Sequence, residues 1–327
     1  MDKILVTATE YEKARDFFNG VPDFHCLPVP ADEAGLSQAI RKENSKYVIV
    51  GVEKYNSELY DTLPRGGVIA RFGVGHDGID KATASAKGIF CTNTPGTLDD
   101  AVAECAIALM LDAARHIANC ANAVRNGQWG TWKGLQLGGR TLAIIGGGHI
   151  GRKVAKIASA GLGMNVVCYD VAPVDCPYFE KCHTDFSAAV SQADVVSLHL
   201  PVLPSTIGFI NQERLSCMKP GAILVNTARG AVVDEAALYD ALANGKLSCA
   251  ALDVFQNEPY TPVAPGKDLR TLPNVLMTAH IASSTQEACL AMAASAVENI
   301  RSIRNGAPQK ASLLRPNDRI QDNSISI

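Results

Sequence analysis

Short apolar runs alternate along this chain with stretches of helical period, which is the pattern of strands and helices in parallel α/β order. In the first part Lys3–Thr7, Lys46–Val50, Val68–Ala70 and Gly88–Cys91 read as strands and Glu10–Phe18 as a helix. Residues up to about 96 therefore look like a small doubly wound domain. Asn93-Thr94-Pro95-Gly96 breaks the pattern, and Thr97-Leu98-Asp99-Asp100 opens a long helical stretch with a Thr-x-x-Asp cap that Asn126-Gly127 closes. Much later Ser284-Thr285-Gln286-Glu287 is a second capping box, starting a helix that runs to Asn305-Gly306. Between the two lie apolar runs at Leu142–Ile145, Val166–Asp170, Val195–Leu200, Ala222–Asn226, Ala250–Val254 and Val275–Thr278.

The first two of these runs frame the most informative stretch. Leu142–Ile145 feeds Gly146-Gly147-Gly148-His149-Ile150-Gly151, helical period follows from Arg152 to Ala160, and the next apolar run ends on Asp170. A GxGxxG turn between strand and helix, with an acid at the tip of the second strand, is the βαβ unit that holds a dinucleotide. Gly146 makes the tight turn, Gly148 lets the backbone close on the pyrophosphate, and Gly151 lets the helix lie against the strand. The orphan N–H groups of the helix starting near His149 and Ile150 then face the phosphates. Asp170 suits the ribose hydroxyls and would repel a 2′-phosphate, and Val171-Ala172-Pro173 offers no arginine to receive one, so NAD is favoured over NADP. The expected fold is thus α/β with two doubly wound parallel sheets. A Rossmann NAD-binding domain (99–283) is inserted in a flavodoxin-like substrate domain (1–98 and 284–327), with hinges near Pro95-Gly96 and Ser283-Ser284.

Composition narrows the partners. The chain has 327 residues, enough for two domains, and 47% hydrophobic residues, ample for two cores. A net charge of −3 argues against nucleic acid and against an anionic membrane. The ten cysteines are scattered and none forms a CxxC pair. Cys176 and Cys182 with His183 do not match zinc spacing, so no metal is expected, and buried thiols in a reducing cytoplasm are the reading. Asp2 and Lys3 precede only a short apolar run, Ile4–Val6, which is no signal peptide, and Ala106–Leu111, bracketed by Glu104 and Asp112, is too short to span a bilayer.

Polar residues gather where strands end. Arg71-Phe72-Gly73-Val74-Gly75-His76-Asp77-Gly78-Ile79-Asp80 places bare backbone N–H groups at the carboxyl end of a strand, where open α/β sheets bind ligands; the alternative is a plain strand-to-helix turn capped by Asp77. Arg229, in Asn226-Thr227-Ala228-Arg229-Gly230, can grip a carboxylate through two parallel hydrogen bonds, or can pair with Asp234 or Glu235. His280 follows the last strand, and imidazole is the side chain best suited to exchange a hydroxyl proton near neutrality. Glu258, in Asp253-Val254-Phe255-Gln256-Asn257-Glu258-Pro259, would fix the imidazole tautomer if it met the other ring nitrogen.

Taken together, Arg71–Asp80, Gly146–Gly151, Asn226–Asp234, Ala250–Pro259 and Pro273–Ser283 resemble the D-isomer-specific 2-hydroxyacid dehydrogenases, over about residues 45 to 305. The resemblance implies that Arg229 binds and polarises a 2-oxo acid, that His280 donates and accepts the proton, and that Glu258 is its partner. It further implies substrate contacts at Gly73, Val74 and Gly75, the last two through backbone N–H groups. For NAD it implies contacts from Val74, Gly146, Gly148, His149, Ile150, Gly151, Asp170, Leu200, Thr227, Ala228 and Asp253, the last to the nicotinamide amide. An active site in the cleft between domains and a homodimer built around the first long helix are also implied. The expected activity is NAD-dependent interconversion of a small D-2-hydroxy acid and its 2-oxo acid.

The chain departs from the family where Ala279 and Ala282 stand for the usual proline and glycine around the histidine. Phosphoglycerate dehydrogenases, similar at Gly73-Val74-Gly75, place a phosphate-gripping arginine where this chain has Gly51-Val52-Glu53-Lys54-Tyr55; Glu53 opposes a phosphate and only Lys54 could help hold one, which leaves phosphoglycerate dehydrogenase as the alternative within enzymes. Glu258 in place of glutamine argues against the formate dehydrogenase branch. The tail after Gly306 is too short for a regulatory domain. The alternative from another class is an NAD(H)-sensing, corepressor-like interaction protein on the same fold.

Overall fold

The computed structural model describes residues 1–316; the last part of the expected substrate domain, 317–327, lies outside them. The chain divides into two compact units, one formed by Met1–Leu98 with the segment from Ser284 onward, the other by Asp99–Ser283.

In the first unit the strands are β1 (Asp2–Thr7), β2 (Phe24–Val29), β3 (Tyr47–Val50), β4 (Val68–Arg71) and β5 (Phe90–Thr92). Its helices are α1 (Ala8–Lys13), α2 (Arg15–Asn19), α3 (Glu33–Glu43), α4 (Ser57–Thr62) and α5 (Lys81–Ala86). All four strand pairings are parallel in the order β2-β1-β3-β4-β5, the flavodoxin-like order. Every residue of β3 and β4 is buried, as strands covered on both faces must be. The core packs Leu5, Val48, Val50 and Ile69 against Leu36, Ile40 and Leu59, each such side chain contributing about 1.5–3 kcal/mol by leaving water.

The second unit holds α6 (Asp99–Arg115), α7 (Ile117–Arg125), β6 (Thr141–Ile145), α8 (His149–Lys156), β7 (Asn165–Tyr169), β8 (Lys181–His183) and α9 (Phe186–Val190). It continues through β9 (Val195–Leu198), α10 (Gln212–Cys217), β10 (Ala222–Asn226), α11 (Glu235–Ala243), β11 (Leu247–Leu252) and β12 (Val275–Met277). Seven parallel strands run β12-β11-β10-β9-β6-β7-β8. The order reverses between β6 and β9, which is the switch point where such sheets take ligands. One core packs Ile144, Val166 and Val225 against α6 and α8, and another packs Ala143, Val196 and Leu224 against α9–α11. Helix α12 (Gln286–Arg304) returns to the first unit.

Several elements differ from the pattern reading. Strand β2 carries Pro28, which lacks an N–H and disrupts a strand signal, but β2 lies at the sheet edge where one unpaired side is tolerated. The expected helix 10–18 is two helices because Ala14 leaves helical geometry at φ −142°, ψ 38°. The long stretch after Gly96 likewise breaks at His116, which is left-handed at φ 56°. Thr97 does not cap it; its hydroxyl donates to the Thr94 carbonyl at 2.7 Å. The later box is shifted by one residue, with Thr285 accepting from the Ala288 N–H at 3.1 Å. Asp80 rather than Asp77 caps α5, through the N–H groups of Ala82 and Thr83.

Helix α12 is fastened to its unit by Asp23, whose carboxylate accepts from Arg301 (2.7 and 3.0 Å) and Arg304 (2.7 Å). Hydrogen bonds from Arg301, against opposing burial and with help from Arg304, hold this carboxyl down at about 2. Because the folded value lies below the unfolded value of about 3.9, the stabilisation is full above that pH and is lost as pH falls through the folded value. Asp23→Asn is therefore expected to lower the urea midpoint at neutral pH, and the deficit relative to the parent should close between about pH 4 and about pH 2.

Candidate active site

The glycine-rich turn leaves β6 on the carboxyl edge of the seven-stranded sheet. Gly146 is left-handed at φ 104°, and a Cβ there would lie 2.6 Å from the His199 carbonyl oxygen; at Gly151 it would lie 2.2 Å from the Gly146 carbonyl oxygen. Both positions exclude a side chain, the first for the turn and the second for the close approach of α8 to β6. Leu200 lies against the same turn, its Cδ2 3.4 Å from the Gly146 Cβ position. The Gly147 N–H donates to Asp170 Oδ2 at 2.9 Å, and the Val171 N–H to Oδ1 at 2.7 Å, so the acid is fastened beside the turn.

These residues fit the dinucleotide that the motif implies. The amides of Gly148, His149 and Ile150, at the start of α8, have no acceptor among the described residues, and the helix dipole there favours an anion. Thr227 follows β10, and its Oγ1 is buried with no hydrogen-bond partner. A buried hydroxyl without a partner is costly unless a ligand completes it. Ala228 is held next to it by donation of its N–H to Asn226 Oδ1 at 3.0 Å.

Three further loops leave the neighbouring strands on this edge. Arg229 follows β10 and donates from Nη1 to the Ala228 carbonyl at 2.8 Å. The two acids near it are engaged locally: Asp234 caps α11 through the N–H groups of Ala236 and Ala237, and Glu235 Oε1 accepts from the Gln256 N–H. His280 follows β12 in a left-handed conformation, φ 52°. Its Nδ1 meets Glu258 Oε2 at 2.7 Å, and Glu258 Oε1 accepts from the Phe255 N–H at 2.9 Å. Burial works to raise the Glu258 carboxyl, but the hydrogen bond and charge of His280, the Phe255 N–H and the charge of Arg229 outweigh it and hold Glu258 below the usual carboxylate range. Glu258 is thus a carboxylate acceptor, which assigns the Nδ1 proton to the imidazole and leaves Nε2 for proton exchange.

Asp253 has a structural duty that pattern reading did not give it. Its wholly buried carboxylate accepts from the Thr278 hydroxyl (2.6 Å) and from the N–H groups of Ile281 and Ala282 (both 2.9 Å). Its carbonyl accepts from the His280 N–H at 2.8 Å. Both carboxylate oxygens accept from the histidine loop, so Asp253 shapes that loop. Pattern reading missed this because hydrogen bonds to backbone across separate loops leave no residue spacing to recognise.

The first unit's glycine loop also sorts its amides. Gly73 donates to Thr94 Oγ1 at 3.0 Å, so its N–H is engaged within the loop. Those of Val74 and Gly75 have no acceptor among the described residues, while the Val74 carbonyl is held by Asn93 Nδ2 at 2.8 Å.

Arg229 and the Glu258 turn are joined through Gly230, where a Cβ would fall 1.8 Å from the Phe255 carbonyl carbon. Gly230→Ala must therefore push the 255–258 turn away. Expected are a lower urea midpoint and, in the folded fraction, a kcat reduced by about a hundredfold, the effect of roughly 1 Å of misplacement.

Comparison with known proteins identifies the family. The sequence profile described as D-isomer specific 2-hydroxyacid dehydrogenase, NAD binding domain, matches residues 107–282. A glyoxylate reductase of Thermococcus litoralis is 38% identical over 282 residues, 83% of each chain. A D-3-phosphoglycerate dehydrogenase of Archaeoglobus fulgidus is 37% identical over 96% of this chain, which spans 59% of that protein's length. Among solved structures, an NADPH-dependent glyoxylate/hydroxypyruvate reductase of Sinorhizobium meliloti, in complex with NADP and malonate, superimposes with a TM-score of 0.79 at 32% identity, covering 92% of this chain and 93% of the other. The dinucleotide turn, the His280–Glu258 pair and these similarities converge on one conclusion: the chain belongs to the D-isomer-specific 2-hydroxyacid dehydrogenases, NAD(P)-dependent enzymes that act on a CH–OH group.

Proposed function

We propose that this enzyme interconverts a small, unphosphorylated D-2-hydroxy acid and its 2-oxo acid, with His280 as the acid/base and Arg229 as the anchor of the carboxylate and carbonyl. The observation that carries the reading is the 2.7 Å contact of His280 Nδ1 with Glu258, in the unit that also holds the glycine-rich turn and Arg229. NAD, when bound, supplies the hydride acceptor. The protein's own work is then to hold and to move one proton. Glu258 keeps the imidazole in one tautomer, and Nε2 takes the hydroxyl proton in oxidation or returns it in reduction. A guanidinium, charged at any working pH, fixes the carboxylate and polarises the carbonyl. The Val74 and Gly75 amides, without acceptors of their own, are proposed as further carboxylate donors.

Glu53 supports the restriction to unphosphorylated acids. It follows β3, and a Cβ at Gly51 would lie 2.6 Å from both Glu53 Oε2 and Glu10 Oε1, so two carboxyls share this end of the first sheet. Such a pair repels a phosphate. Asp170, tied beside the glycine turn, supports NAD over NADP by the same charge argument. The relatives named above are oxidoreductases, and the corepressor-like alternative draws no support from them. Ten free thiols suit a reducing cytoplasm, and among the described residues no helix is long and apolar enough to cross a membrane.

NADH oxidation with glyoxylate, hydroxypyruvate, pyruvate and phosphohydroxypyruvate tests this. Turnover is expected with the unphosphorylated acids, and His280→Ala should lower kcat by about a hundredfold or more while NADH binding persists. Preference for the phosphorylated acid, or an unchanged rate in the variant, would contradict the reading.

We also propose a homodimer through α7 and the segment after it, where Ile117 (55%), Val124 (46%) and Trp129 (91%) are exposed, an apolar surface of the kind that marks an interface. Sedimentation should show a dimer, with Ile117→Glu shifting the chain toward monomer.

A further inference from the structure

Glu235 is a buried acid that the mechanism above does not use. It opens α11, is 4% exposed, and lies one residue after the capping Asp234. Its Oε1 accepts from the Gln256 N–H at 2.5 Å, while Oε2 is buried with no hydrogen-bond partner. Burial, opposed by the Gln256 N–H and aided by the charge of Glu258, pushes its carboxyl above the usual range. Burying a carboxyl on a single hydrogen bond costs stability, and violations of this kind concentrate at functional sites.

The placement of that one bond is informative. The 255–258 turn is held from three directions. The Phe255–Gln256 backbone lies against Gly230, Gln256 Nε2 donates to the Val233 carbonyl at 2.6 Å, and the Gln256 N–H goes to Glu235. One end of the turn donates to Glu258 Oε1, and Glu258 Oε2 meets His280. The segment 229–235 begins with the anchoring guanidinium. Glu235 therefore joins the loop that carries Arg229 to the turn that carries Glu258.

We propose that Glu235 is a positioning residue for the reaction, acting through the Gln256 N–H to hold the Glu258 carboxylate on the His280 ring. The inference rests on the proposed role of His280. It requires that the acceptor oxygen, not the negative charge, matter: Glu235→Gln keeps an oxygen where Oε1 stands, whereas Glu235→Ala removes it and Glu235→Asp withdraws it by one methylene.

The test is a kinetic series on the full-length enzyme with NADH and its best 2-oxo acid, well below the unfolding temperature. Glu235→Ala and Glu235→Asp are expected to lower kcat about tenfold or more through misplacement, with KM for NADH within about twofold of the parent because the glycine-rich turn is untouched. Glu235→Gln should restore kcat to within about threefold. In a Glu258→Ala background, Glu235→Ala should produce no further fall, since a group acting through Glu258 has nothing left to hold. If the Ala variant does not fold, the Asp and Gln variants carry the same comparison, with Asp in the Glu258→Ala background. Parent-like kcat in Glu235→Asp, no recovery in Glu235→Gln, or a full additional loss in the double variant overturns the proposal. An active His280→Ala overturns it together with the reading it rests on, whereas an inactive His280→Ala beside a parent-like Glu235→Asp overturns this inference alone.

Discussion

The structure depends on one constraint: in a parallel sheet every strand delivers its carboxyl end to the same edge. The seven-stranded sheet therefore brings out the glycine turn after β6, Arg229 after β10, the Glu258 turn after β11 and His280 after β12 along one side. Residues far apart in the chain become neighbours because their strands pair in register, Val225 with Ala251 and Ala251 with Leu276. The five-stranded sheet obeys the same rule and puts its own glycine loop, 73–75, after β4.

Placing charged groups at such an edge creates a desolvation problem, and the NAD-binding unit handles its acids in three ways. Asp253 accepts from a hydroxyl and two backbone N–H groups, which makes a buried carboxyl the frame of the histidine loop. Glu258 is kept ionised by the ring it orients and by a backbone donor. Glu235 has a single donor, and burial shifts it toward the neutral form. The number of partners falls from three at Asp253 to two at Glu258 and one at Glu235. The loop that Asp253 frames carries His280 in a left-handed backbone conformation, uncommon for a residue other than glycine.

Where sequence pattern and structure part, the cause is a backbone event without a composition signal. Ala14 and His116 interrupt runs of good helical period, since neither an alanine at φ −142° nor a histidine at φ 56° announces itself among apolar neighbours. The β2 strand is masked by Pro28 and rescued only by its place at an edge. Thr97 has the residue type of a cap, yet a competing carbonyl of Thr94 takes its hydroxyl. These are tertiary and local hydrogen-bond choices that periodicity does not encode.

By itself, the sequence determined the class of fold and the dinucleotide turn, because strand–turn–helix alternation and glycine requirements are local and leave fixed spacings, and it singled out Arg229, Glu258 and His280 as candidates at the ends of strands. Only the tertiary structure decided that Glu258 meets His280, that Asp253 and Gly73 serve their loops, and that Glu235 stands behind the turn. Those facts depend on which loops emerge side by side and which donors are already taken. Hydrogen-bond partnership across strands is a property of packing, and no spacing along the chain records it.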